Sequence, residues 1–218
     1  MPNTDKPAPN ARSQKVLSGI AGAYPRAMYR AIGFTDEELK RPIIGVVSSW
    51  SETNPASYSL KTLAQHVKAG VYMAGGTPVE FHTISICDAV AQGAGMHYVL
   101  PSRELIAGEI ELMVGAHPFD GLVLLCSCDK SPPGMLMAAA RLNIPTIFLP
   151  AGPMLPYRYG GKEWVMSDIK EAMGRLKSGE IGPEEFDRIE HETCPTCGVC
   201  AMMGTGNTMG CLTEALGM

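Results

Sequence analysis

The chain has 218 residues, 45% of them hydrophobic and 18% charged, with a formal net charge of −4. That is enough apolar material for a core, and no basic stripe is available to neutralise nucleic-acid phosphates or anionic lipid, so nucleic acid and membrane are not expected partners. The opening MPNTDKPAPNARSQK is polar and lacks the apolar run of a secretory signal, and no apolar stretch reaches the ~18 residues of a membrane span. Residues 1–11 read as a flexible leader, residues 12–218 as one α/β domain of a cytoplasmic protein.

In chain order, Ser13 to Ile32 carries apolar residues at helical spacing interrupted by Pro25, which predicts one broken or two short helices. From Pro42 the run IIGVVSS is β-branched and continuous, as in a strand buried on both faces, and ends in the polar loop SWSETNPAS. Leu60 to Met73 is amphipathic and is stopped by Gly75-Gly76, after which VEFHTIS reads as a strand running into Cys87-Asp88. Ser102 is the expected N-cap of a helix extending to about Ala116, with Glu104 in its first turn. Phe119 to Cys126 is the next buried strand and empties into SCDKSPPGM. LMAAARL then predicts a helix and PTIFLPAGP a strand and turn. Lys162 to Glu192 is charged and helical in pattern, divided by Gly179 and Gly182-Pro183, and a short helix closes the chain. Strands alternating with helices predict a mostly parallel sheet flanked by helices in three layers. In such sheets ligands gather at the carboxyl ends of the strands, where Cys87-Asp88 and Cys128-Asp129-Lys130 fall.

Seven cysteines stand at positions 87, 126, 128, 194, 197, 200 and 211. An odd number without an export signal argues against a disulfide framework and for metal, iron–sulfur or redox chemistry. Cys194, Cys197 and Cys200 follow one another at intervals of three in a glycine-rich segment and could face one metal centre. The second pair of a typical zinc site is missing, an iron–sulfur centre would need Cys128 or Cys87 in addition, and buried thiols packed as small hydrophobes are the plain alternative. Asp88 and Asp129 at adjacent strand ends suit a hard divalent cation such as magnesium. Lys130 is out of place there, because an ammonium repels a cation. The five histidines show no metal-ligand spacing, and no phosphate loop, serine-hydrolase elbow or dinucleotide glycine signature occurs.

Three long strings, AGGTPVEFHTISICDAVAQGAGMHYVLPSRELIAGEIELM, CDKSPPGMLMAAARLNIPTIFLPAGPM and CAMMGTGNTMGCLTEALGM, resemble in order the amino-terminal domain of the dihydroxy-acid and phosphogluconate dehydratase family, from about Arg12 to Met218. The resemblance implies a hydro-lyase domain that turns a 2,3-dihydroxy acid into a 2-keto acid, with the 2,3-dihydroxyisovalerate of branched-chain amino acid biosynthesis ahead of sugar acids. It implies an iron–sulfur cluster on Cys128 and Cys200, and a magnesium ion on Asp88, Asp129 and a carbamylated Lys130, which as an anionic oxygen donor no longer repels the ion. Relatives with a 2Fe-2S cluster have a cysteine in the loop after the first strand, where this chain has Ala56; the resemblance therefore favours 4Fe-4S over 2Fe-2S, with Cys87 as third thiolate. The catalytic base, a serine, and a further magnesium-binding glutamate are expected from a carboxyl-terminal domain, so no catalytic residue is expected here and the chain alone is expected to be inactive. A truncated domain, a subunit of a split enzyme and a short paralogue remain open, as does a non-catalytic iron–sulfur or zinc module. Relatives are commonly dimers or tetramers, so a homo-oligomer is expected.

Overall fold

The computed structural model describes residues 7–218; the first six residues of the expected leader lie outside the described residues. Two short helices open the fold, α1 (Ala11–Leu17) and α2 (Ala23–Ala31). The alternating units follow: β1 (Ile43–Ser48), α3 (Leu60–Met73), β2 (Thr77–His82), α4 (Met96–Ala116), β3 (Gly121–Cys126), α5 (Ser131–Leu142) and β4 (Thr146–Pro150). Then come a hairpin of β5 (Tyr157–Tyr159) and β6 (Lys162–Trp164), two helices α6 (Met166–Lys177) and α7 (Pro183–Glu192), and α8 (Thr205–Ala215).

The four long strands form one parallel sheet in the order β2-β1-β3-β4. Side chains alternate across it, and both faces are covered. Ile43 and Val47 of β1 and Leu122, Leu124 and Cys126 of β3 pack with Ile106 and Ile110 of α4 and Met135 and Ala138 of α5. Val46 and Leu125 point the other way and pack with Leu60 and Ala64 of α3. This is the expected α/β architecture of helix, sheet and helix. Asp120, just before β3, joins the amino-terminal segment to the sheet: its carboxylate accepts the N–H groups of Arg12 and Ser13 at 2.9 Å each and that of Ile43 at 2.8 Å.

Three local expectations are corrected. The helix expected to start after Ser102 starts at Met96 and carries Pro101 within it. The turn before Pro101 buries Val99 in the core, which offsets the one hydrogen bond the proline cannot make, and the Ser102 hydroxyl turns back to donate to the Val99 carbonyl at 2.6 Å. The helix expected from Leu136 begins at Ser131, because Pro132 and Pro133 sit in a first turn where no N–H is needed. The segment taken as helical from Lys162 first completes a hairpin: Gly160 and Gly161 adopt φ of +62° and +76°, as a two-residue turn of matching twist requires. Trp164 of that hairpin, Ala172 of α6 and Ile189 of α7, together with Ile181, form a small second core.

Candidate metal centre

The chain passes from β1 to one neighbour, β2, then crosses to the other, β3, so the strand order reverses around β1. The loops leaving β1, β2 and β3 converge at that point, which is where α/β sheets bind ligands. Ala56 comes from the first loop, Cys87 and Asp88 from the second, Cys128 and Asp129 from the third. Cys128 holds φ at +62°, one of two non-glycine residues with positive φ among those described. A left-handed backbone at such a residue costs about 1–3 kcal/mol and persists where the surroundings enforce it, commonly at functional sites.

The Cys87 sulfur, the Cys128 sulfur and an Asp88 carboxylate oxygen lie within 4.8 Å of one another. The neighbouring Cys128 thiol, with the Val90 and Ala89 N–H groups, holds the Cys87 thiol well below its usual range against the opposing effects of burial and Asp88. The same contact, followed by burial, pushes Cys128 up, so one thiol of the pair ionises far more readily than the other. Burial and the charge of Asp88 together raise Asp129, while Lys130 and the Gly206 N–H act in the opposite sense. Lys130 is half-buried and sits at the N-terminal cap of α5.

Cys200 is brought to the same place by backbone pairing beyond β4. Val199 donates its N–H to the Gly152 carbonyl at 2.9 Å and accepts that of Met154 at 2.8 Å. Gly198 just before it has φ +148°, and a Cβ there would lie 2.5 Å from the Met154 nitrogen, so only glycine allows so close an approach. Burial, then the charges of Cys87, Asp88 and Asp129, push the Cys200 thiol up to about 11. Two adjoining cavities meet at Cys200: one of about 730 Å³ lined by Asp88, Asp129 and Gly206, the other of about 830 Å³ lined by Cys87, Cys128, Cys194 and Cys197. No histidine lines either. Cys126, the last residue of β3, faces the core among residues of α4 and α5, where burial raises its thiol to about 12, and Cys211 is exposed on α8.

Beneath the thiols lies a buried hydroxyl chain that sequence reading passed over. Ser57 Oγ bonds Ser85 Oγ at 2.8 Å and Ser127 Oγ at 2.7 Å, and the Asn54 amide donates to Ser85 at 2.8 Å. These four residues join the loops after β1, β2 and β3, and all are at most 9% exposed. Small polar residues in loops have no periodicity to reveal them. Ala56 packs against Cys87, Cys128 and Val199 above this chain.

The family described as dihydroxy-acid/6-phosphogluconate dehydratase N-terminal matches residues 41–218. The chain belongs to this family. Relatives named dihydroxy-acid dehydratase include those of Desulfosudis oleivorans, 54% identical over 211 residues, and Pyrococcus furiosus, 52% identical over 208 residues. Another, from Caldanaerobacter subterraneus, is 55% identical over 208 residues. Each alignment covers 95% of this chain and 37–38% of the relative, so the chain spans well under half the length of the dehydratases it matches.

The donor set fits the groups that membership in this dehydratase family implies. Soft thiols suited to iron line the larger cavity, hard carboxylates suited to magnesium line the smaller, and Asp129 and Cys200 border both. Asp88 is common to both groupings, since it lies within 4.8 Å of the two sulfurs and beside Asp129. Among the described residues no helix is long and apolar enough to cross a membrane.

Proposed function

We propose that this chain is the cluster- and magnesium-binding part of a hydro-lyase that converts a 2,3-dihydroxy acid to a 2-keto acid. The observation that carries the reading is the meeting of Cys87, Asp88 and Cys128 within 4.8 Å at the strand-order reversal. Cys87, Cys128 and Cys200 would hold a 4Fe-4S cluster, and Asp88, Asp129 and a carbamylated Lys130 would hold Mg2+. When bound, the two metals serve as Lewis acids, iron toward the C3 hydroxyl and magnesium toward the carboxylate and C2 hydroxyl.

The chain's own residues supply placement. Three thiolates would hold such a cluster while leaving one of its irons without a protein ligand. Ala56 has no sulfur to offer from the β1 loop and fills the space beside Cys87 and Cys128 with a methyl group, which supports Cys87 as the third donor. The hydroxyl chain of Ser57, Ser85 and Ser127 fixes the three loops relative to one another before any metal enters. Uptake of carbon dioxide by Lys130 would form an N–C bond and release two protons from the ammonium, turning a cation into an anionic oxygen donor. The 730 Å³ cavity beside Asp88 and Asp129 accommodates a short dihydroxy acid. We assign no catalytic base to this chain; the base belongs to the length of the relatives that it does not span. Seven free cysteines suit a reducing compartment, which supports a cytoplasmic setting.

The test is turnover. The reconstituted chain is mixed with a polypeptide covering the remaining length of the Desulfosudis oleivorans relative, and 2-keto acid is measured from 2,3-dihydroxyisovalerate and from a panel of sugar acids. Production from dihydroxyisovalerate by the mixture, and none by the chain alone, is the expected result. Turnover by the chain alone would refute the assignment of the base, and turnover of sugar acids only would move the substrate.

A further inference from the structure

Five thiols line the cavity of about 830 Å³, and the cluster reading uses three; Cys194 and Cys197 are left over. Packing does not account for them, because both are exposed, whereas cysteines kept as small hydrophobes are among the most buried residues. Their turn is held instead by its own backbone and by one hydroxyl. The Leu155 N–H donates to Thr196 Oγ1 at 2.8 Å, and the Gly198 N–H donates to the Pro55 carbonyl at 3.1 Å. The two sulfurs, three residues apart, are thus presented from a turn anchored within it and just after it, the spacing used by metal-binding knuckles. A third soft donor is adjacent: Cys194 Sγ lies 3.8 Å from Met166 Sδ, and Met166 lines the same cavity, as does the Glu190 carboxylate. Thiolate and thioether sulfur together select thiophilic ions over magnesium or calcium.

We propose that Cys194 and Cys197, with Met166 beside them, form a separate site for a thiophilic divalent ion at the mouth of the cavity that holds Cys87, Cys128 and Cys200, and that its ion in the cell is ferrous iron awaiting transfer to those three thiols. The two groups are continuous along the chain, since Cys197 precedes Cys200 by one turn of loop, and along the cavity wall. Exposure suits exchange: an ion held by two surface thiolates is released more easily than one held by the buried Cys128 and the half-buried Cys87 and Cys200. Binding at the outer pair stands without the cluster; only the assignment to iron transfer rests on the proposed function.

The experiment is anaerobic titration of the whole 218-residue chain with Cd2+ alone, followed by thiolate-to-metal charge-transfer absorption. In a Cys87→Ser/Cys128→Ser/Cys200→Ser variant about one Cd2+ per chain is expected to remain, and adding Cys194→Ser/Cys197→Ser is expected to remove it. Because the first variant alters one buried and two half-buried thiols, the otherwise wild-type chain carrying only Cys194→Ser/Cys197→Ser is titrated beside it and is expected to bind about one Cd2+ fewer than wild type. Equal uptake by that chain and wild type overturns the site. In iron and sulfide reconstitution the same double variant is expected to reach the wild-type final iron content several-fold more slowly. A lowered final content would make the pair cluster ligands, and an unchanged rate would rule out transfer; either result overturns the proposal. If wild type takes up no cluster at all, the functional reading fails, while the Cd2+ titration still judges the outer site.

Discussion

Cys87 and Cys128 meet over the end of a strand that carries neither of them. They follow β2 and β3, which flank β1 in the sheet, and their loops bend inward until the two sulfurs lie within 4.8 Å of each other. What holds the loops in that position is the buried hydroxyl chain beneath them, centred on Ser57.

Ser57→Ala removes the hydroxyl that joins Ser85 to Ser127 and leaves both with one partner fewer in a buried setting. The expected cost is about 1–3 kcal/mol, read as a lower urea midpoint with an unchanged slope. Ser127 is the residue before Cys128, so the variant is also expected to retain less iron. A wild-type midpoint and iron content would show that the chain of hydroxyls does not position the thiols.

Gly198→Ala places a methyl group 2.5 Å from the Met154 nitrogen and 2.7 Å from the Pro153 carbonyl carbon, at a φ of +148°. Backbone cannot yield as a side-chain tip can, so the pairing of Val199 with Gly152 and Met154 must open and Cys200 must move. Iron content is expected to fall together with stability, the latter by roughly 1–3 kcal/mol. Normal loading of iron in this variant would mean that Cys200 does not need that pairing.

Asp120→Ala leaves the N–H groups of Arg12, Ser13 and Ile43 without their acceptor. We expect a loss of roughly 2–4 kcal/mol and rapid hydrogen exchange at Ser13 and Ile43. Protection at both amides in the variant would contradict the role of Asp120 as the clasp between the amino-terminal segment and the sheet.

Asp168 gives the pH dependence. Burial pushes its carboxyl up, but the Lys162 ammonium at 2.8 Å and the Val165 N–H at 2.7 Å together outweigh burial, and its folded value lies below the ordinary carboxylate range. A depressed folded value means that its stabilisation is fully present above the unfolded pKa of about 4 and is lost as pH falls through the folded value. Asp168→Asn is therefore expected to cost about 1 kcal/mol at neutral pH and progressively less in acid, by denaturation at a series of pH values. A deficit independent of pH would show that charge is not what Asp168 contributes.

Much of the sheet was legible because β1 and β3 are continuous apolar runs ending in polar loops; the run of β3 places Cys128-Asp129 at a strand end, and the β-branched and aromatic residues of β2 place Cys87-Asp88 after another. That they meet depends on β2 and β3 lying on either side of β1, which no local pattern specifies. The amino-terminal start of α4 was obscured because Pro101 and Ser102 together mimic a helix entry, and burial of Val99 outweighed that local signal. The hairpin was readable in principle from Gly160-Gly161 between aromatic residues, but the charge of the surrounding segment favoured a helical reading. The Asn54, Ser57, Ser85 and Ser127 network had no such signature, since its members are ordinary loop residues until three strands bring them together.

Iron and acid-labile sulfide analysis of the chain purified without oxygen, beside its Cys128→Ser variant, tests most directly whether the converging thiols hold a cluster. Iron and sulfide in nearly equal amounts in the wild type, and their loss in the variant, are predicted. A colourless wild-type protein carrying zinc, or a variant that keeps its iron and sulfide, would contradict the claim that Cys87, Cys128 and Cys200 converge to hold a cluster.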